Sequence, residues 1–216
     1  MVSIPMADVA RTSQQWHRNW NDGCAILAGR DPILRKLIDR YPNEGLEPHG
    51  DVFHTLCWAV TGQQISVLAA ERIWERVGRL AGEIRPGALA GLTHKELVSC
   101  GLTRMKSTYL IELGSRSSKG AAEHDWQGLD DQGLQKALAS FRGVGLWTAQ
   151  MAMIFALGRL DVLPAHDIGM QRTVAENYGI DRSATALRVQ AESWRPWRTI
   201  AVWYLWRDLD PVPVAY

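Results

Sequence analysis

Cysteine is scarce, charge of either sign is balanced, and no long hydrophobic run interrupts the 216 residues. Each shortage removes a class of protein. The three cysteines, Cys24, Cys57 and Cys100, stand far apart and form no C-x-x-C pair. That argues against a disulfide framework and against a zinc or iron–sulfur knuckle, and leaves buried or half-buried free thiols as the expectation. Without about 20 consecutive apolar residues, no helix is expected to span a bilayer. The opening MVSIPMADVARTSQQW lacks the basic-then-apolar order of a secretory signal, so the expected location is intracellular, in a cytoplasm and nucleoid or a nucleus. A formal net charge of +1 does not by itself announce a nucleic-acid binder. Sums conceal clusters, however, and between Arg172 and Arg207 six arginines stand against Glu176, Asp181 and Glu192.

Tryptophan is what the chain has in excess, with ten. Core packing is the ordinary use of an indole, and a stacking surface for a flat ligand is the other. Periodicity reads as helix nearly throughout. DPILRKLIDRY gathers Ile33, Leu34, Leu37 and Ile38 on one face behind an Asp-Pro start. DVFHTLCWAVTGQQISVLAAERIWERVGRL is apolar-periodic but broken at Thr61-Gly62-Gln63-Gln64, which predicts two helices or one bent helix with a polar tip. Further helices are expected at THKELVSC, at TRMKSTYLIELGSRS and at DQGLQKALASF. LWTAQMAMIFAL is apolar all round and therefore expected to be buried. A helix should restart near Asp167, and a last one should run through RPWRTIAVWYLWRDL with Pro196 in its first turn. The fold class is all-α. The chain is expected to form a single functional unit over residues 1–216, with lobes of 52–158 and of 1–51 plus 159–216.

Chemistry concentrates in LQKALASFRGVGLWTAQMAMIFAL, a helix, a Gly-x-Gly turn and a second helix. Glycines admit backbone conformations closed to other residues, and a helix start offers amide donors to an anion. Phosphate binding and a plain tight turn between helices both remain open on those grounds. Asp167, just past Pro164 at a helix start, is a helix cap or an ionised carboxylate facing a cation. Asp161 is the competing carboxylate, read as a turn or cap residue, and His166 is read as incidental.

FRGVGLWTA followed by LPAHD resembles the helix-hairpin-helix DNA glycosylase superfamily. LAGRDPILRKLI, WAVTGQQISVLAAERI, GLTRMKSTYL and AESWRPWRTIAVWYLW follow the order and spacing of its 3-methyladenine DNA glycosylase II branch. The resemblance runs from about Leu27 to about Trp206, and the N-terminal β-rich domain of the longer members has no counterpart. It implies two helical lobes with the active-site cleft between them. It also implies that Gly143, Val144 and Gly145 grip the DNA backbone, with Thr148 and Lys106 assisting. Asp167 matches the catalytic aspartate, and Trp147 and Trp206 match base-stacking tryptophans. Met151 and Ile168 fall where longer members place tyrosines in the base pocket, and Gln64 with Ile65 matches the wedge that fills the hole left by a flipped nucleotide. Trp194, Trp197 and Trp203 are assigned to the core.

In this family, members that also cut the strand carry a lysine two residues after the hairpin, where this chain has Trp147. The resemblance thus implies a monofunctional hydrolase that starts base-excision repair by removing alkylated purines from duplex DNA. It implies a monomer with no cofactor and no iron–sulfur cluster, with room for a structural monovalent ion at the hairpin. A glycosylase for deaminated or mispaired bases, and a non-catalytic helix-hairpin-helix DNA-binding protein, stay open beside it.

Overall fold

The computed structural model describes residues 6–121 and 126–210, with side chains for 14–119 and 126–210. Among the described residues there are helices and no strand. No helix among them is long and apolar enough to cross a membrane, and the N-terminal segment read above for a signal begins outside them.

Most helices start where the sequence supplies a side chain for the amides that a first turn leaves unpaired. Asp31 accepts from Ile33 and Leu34 at the head of α2 (Pro32–Arg40), which follows α1 (Met6–Arg30). Asp51 caps α3 (Val52–Gly62), and Ser66 caps α4 (Val67–Ala81). After the short α5 (Pro86–Ala90), Thr93 and Glu96 cap reciprocally at α6 (His94–Ser99). Thr103 heads α7 (Arg104–Arg116), and Asp130 heads α8 (Asp131–Leu138). The helix α9 (Leu146–Met151) has no capping side chain and continues as a wider π-turn over Ala152–Ala156. Asp167 caps α10 (Ile168–Tyr178), Ser183 caps α11 (Ala184–Ala191), and α12 covers Arg198–Leu209. The break at Gly62–Ser66 thus separates two helices. Pro196 lies outside the last helix rather than in its first turn, because the Trp197 amide folds back onto the Trp194 carbonyl and the helix starts only at Arg198.

Two compact units result, one of residues 6–47 and 158–210, the other Pro48–Leu157. In the first, Trp20, Cys24 and Leu27 line the buried face of α1. Trp20 stacks on Trp16 and meets Trp203 edge-on. Trp194 and Trp203 are buried as core residues, and Trp197 is half-buried. Asp31 is the polar hub of this unit. Beyond its two helix amides, its carboxylate accepts from the Tyr178 hydroxyl at 2.7 Å and from the Trp194 indole at 3.1 Å.

In the second unit α3 is buried over most of its surface, and Leu110 and Leu113 of α7 are fully enclosed. The segment from Thr148 to Ala156 is buried throughout, as its all-round apolar pattern requires. All three cysteines are buried and free. Burial pushes the Cys57 thiol well up from its ordinary pKa, and the Asp51 charge adds to this. Burial also raises Cys24, against a hydrogen bond with Tyr204 that lowers it.

Asp31→Ala is expected to cost about 3–5 kcal/mol, because it strands the Tyr178 hydroxyl and the Trp194 indole N–H and uncaps α2. Urea unfolding of the variant beside the parent measures it.

Candidate active site

The hairpin of residues 139–145 joins α8 to α9, and its two glycines answer different demands. Gly143 has φ +83°, and a Cβ there would collide with the Tyr109 ring. Left-handed backbone and close ring packing both exclude a side chain. Gly145 has φ −84° and ψ −179°, extended backbone that any residue adopts. A Cβ built there would meet nothing within 4 Å. The chain's own packing therefore does not require glycine at 145. Between them, Val144 buries its side chain and donates its amide to the Phe141 carbonyl.

The helix α7 is the platform under this turn. Its Glu112 pairs with Arg142 at 2.9 Å, and its Arg116 guanidinium lies 4.2 Å from the Phe141 ring centre while bonding the Ser140 carbonyl. From the other side comes Gln63. Its amide nitrogen donates to the Gly143 carbonyl at 2.9 Å and to the Thr148 hydroxyl at 2.8 Å.

In the other unit, Asp167 closes the loop that follows Leu157. Its amide bonds the Pro164 carbonyl, and its Oδ1 accepts from the Met170 amide at 2.7 Å, fixing the carboxylate at the start of α10. Gln171 steadies the preceding turn through the Ala165 carbonyl. The loop's other carboxylate, Asp161, takes a two-bond clasp from Arg198 and a further bond from Arg195 at 2.9 Å. Two guanidinium groups neutralise it. His166 is exposed and shares a hydrogen bond with Arg188. The helix α12 lies against α10 through the Thr173 hydroxyl and the Leu205 carbonyl, and carries the half-buried Trp206.

The family model described as HhH-GPD superfamily base excision DNA repair protein fits residues 57–199. The chain belongs to this HhH-GPD superfamily. Among similar proteins, a Mycobacterium tuberculosis protein named probable bifunctional transcriptional activator/DNA repair enzyme AlkA is 30% identical over 84% of this chain. The chain spans only 38% of that relative's length. DNA-3-methyladenine glycosylase 1 of Schizosaccharomyces pombe is 28% identical over 81% of this chain and 79% of its own. The solved structure of the Schizosaccharomyces pombe 3-methyladenine DNA glycosylase Mag1 with abasic DNA matches with a TM-score of 0.78 at 24% identity, covering 86% of this chain and 95% of that one, a likeness of fold.

Within this HhH-GPD chain the expected site residues land unevenly. Trp147 is half-buried beside the exposed Gly145, and Ile168 is strongly exposed next to Asp167. Gln64 is exposed at φ +59°, followed by the exposed Ile65. Three expectations change. Met151 is completely enclosed and presents no surface to a base. The Thr148 hydroxyl is buried and taken up by Gln63 rather than turned toward a phosphate. Lys106 donates to the Thr61 and Gln63 carbonyls, at 2.9 and 2.6 Å, where α3 ends and leaves carbonyls without amide partners. Partial burial there holds its pKa below the usual lysine value. Sequence reasoning named Gln64 and passed over Gln63. The adjacent pair of glutamines was the available signal, but the partners of Gln63 lie 80 and 85 residues away.

Gly143→Ala is expected to destabilise the fold by about 1–3 kcal/mol. Gly145→Ala should stay within about 0.5 kcal/mol of the parent, as a surface change should. Denaturant unfolding of the two variants separates them.

Proposed function

We propose that the protein is a monofunctional DNA glycosylase, working as a monomer on duplex DNA. It hydrolyses the N-glycosidic bond of alkylated purines of the 3-methyladenine and 7-methylguanine type. The observation that carries this reading is the fixed placement of the Asp167 carboxylate at the head of α10. Asp161 is neutralised by Arg195 and Arg198, whereas Asp167 is held by a backbone amide at a helix start. A carboxylate oriented by a backbone amide at a helix start is suited to face a developing cation.

The chemistry asks little else of the protein. A base is reached only after it leaves the stack, so the nucleotide is flipped out. An N-alkylated purine carries positive charge, and the C1′–N bond breaks with its electron pair going to the base. The sugar is left with oxocarbenium character, which Asp167 stabilises while water attacks C1′ and passes its proton to solvent. A flat cation also gains roughly 0.5–2 kcal/mol over an indole face, the part assigned to Trp147 and Trp206. An indole has no amine to form a Schiff base with the sugar, so Trp147 leaves the strand uncut. The hairpin contributes backbone amides, which position DNA without reading its sequence. The name of the Schizosaccharomyces relative, DNA-3-methyladenine glycosylase 1, supports the substrate class.

Incubation with methylated duplex DNA should release 3-methyladenine, with chromatography of the freed bases as the readout. Asp167→Asn should lower that release by at least about 1000-fold, in line with loss of a preorganised electrostatic group, and still bind the duplex. Borohydride should trap no covalent protein–DNA adduct. A panel carrying hypoxanthine, uracil and mispaired thymine separates this reading from a glycosylase for deaminated or mispaired bases. Release of no base from any of these substrates overturns the enzyme reading.

A further inference from the structure

Gln63 does more than close a helix. Its main-chain amide returns to the Val60 carbonyl, its own carbonyl accepts from Lys106, and its side-chain nitrogen spends both hydrogens on Gly143 and Thr148. A primary amide is one of the few groups that place two N–H donors on one uncharged nitrogen. Both acceptors belong to the hairpin, one on the turn itself and the other on the first turn of α9. The next residue, Gln64, is held in the left-handed region at φ +59°, and its side chain is exposed. The Ile65 amide closes the tip onto the Gly62 carbonyl, and Ser66 then starts α4. Past Gln64 the surface turns apolar, with Ile65, Val67 and Leu68 exposed. The tip and the hairpin are thus two loops joined by one side chain.

We propose that Gln63 is a positioning residue that sets the tip residue Gln64 and the hairpin turn at Gly143 in one fixed register. The proposal rests on the glycosylase reading. A duplex gripped at the hairpin then has the tip already aimed at the strand, and displacement of the base needs no rearrangement of the loop. Lys106 belongs to the same device. Its ammonium holds the Thr61 and Gln63 carbonyls on either side of Gly62 and so prevents the end of α3 from fraying. An unpaired pair of carbonyls at that point would let the tip swing.

The test uses the whole protein with Gln63→Glu, which keeps the size of the side chain and replaces its two donors with acceptors. Two signals are followed. One is affinity for an undamaged duplex. The other is the fluorescence rise of 2-aminopurine beside an abasic-site analogue, which reports displacement of the base, together with single-turnover release of 3-methyladenine. The variant is expected to bind undamaged duplex within a few-fold of the parent and to release base about 100-fold more slowly, the size of loss that a misplaced group produces. The 2-aminopurine rise should fall with it, and Gln63→Asn, which restores both donors on a shorter arm, should recover part of both signals.

Undiminished release, or a loss wholly accounted for by weaker duplex binding, overturns the proposal. If Gln63→Glu does not fold, Thr148→Val removes one acceptor from the other side and must show the same split between binding and displacement. If the parent protein releases no base at all, the glycosylase reading fails by itself. The 2-aminopurine signal of parent against variant then still decides whether Gln63 couples grip to displacement.

Discussion

A helix start carries amide donors that nothing inside the helix satisfies, and this chain meets that constraint in two ways. Eight described helices begin on an Asp, Ser or Thr that accepts from the first turn. At α10 the cap is Asp167, so the group that completes the helix is also the group assigned to the chemistry. At α9 the cap is Gly145, which has no side chain to offer and open space around it. One helix start is filled by its own side chain and the other has none. In the proposed reading these are the catalytic carboxylate and the DNA grip, and both follow from the same shortage of acceptors.

The caps explain why so much of the fold is legible in the sequence. Asp31-Pro32 is such a local signal, and Ser66, Thr93 with Glu96, and Asp130 likewise act within four residues of their place in the chain. Legibility fails where the decisive partner is distant or the segment is short. The five-residue α5 leaves too little periodicity to register. Lys106 reads as a DNA-backbone contact until the end of α3 is seen beside it. Gln63 is indistinguishable from Gln64 until the hairpin meets it. Asp161 and Asp167 look alike as carboxylates of one loop until Arg195 and Arg198 are seen to clasp Asp161 and the Met170 amide to meet Asp167.

The tryptophans divide along the same line between packing and site. Trp16, Trp20 and Trp203 form one aromatic cluster, and Trp58 lies against Trp74 in the other unit. Such contacts build a core from residues that sequence alone leaves ambiguous between packing and stacking. Trp147 and Trp206 keep part of their surface, as a stacking role requires.

The buried cysteines have a consequence for the setting in which such a protein would work. The nucleophile of a cysteine is the thiolate and not the thiol, so an electrophile such as a methylating agent reacts with cysteines that are exposed and ionised. Here every thiol is buried, and burial raises the pKa of Cys24 and Cys57. The reagents that would create damaged bases thus find no ready nucleophile among the cysteines of the protein proposed to remove them.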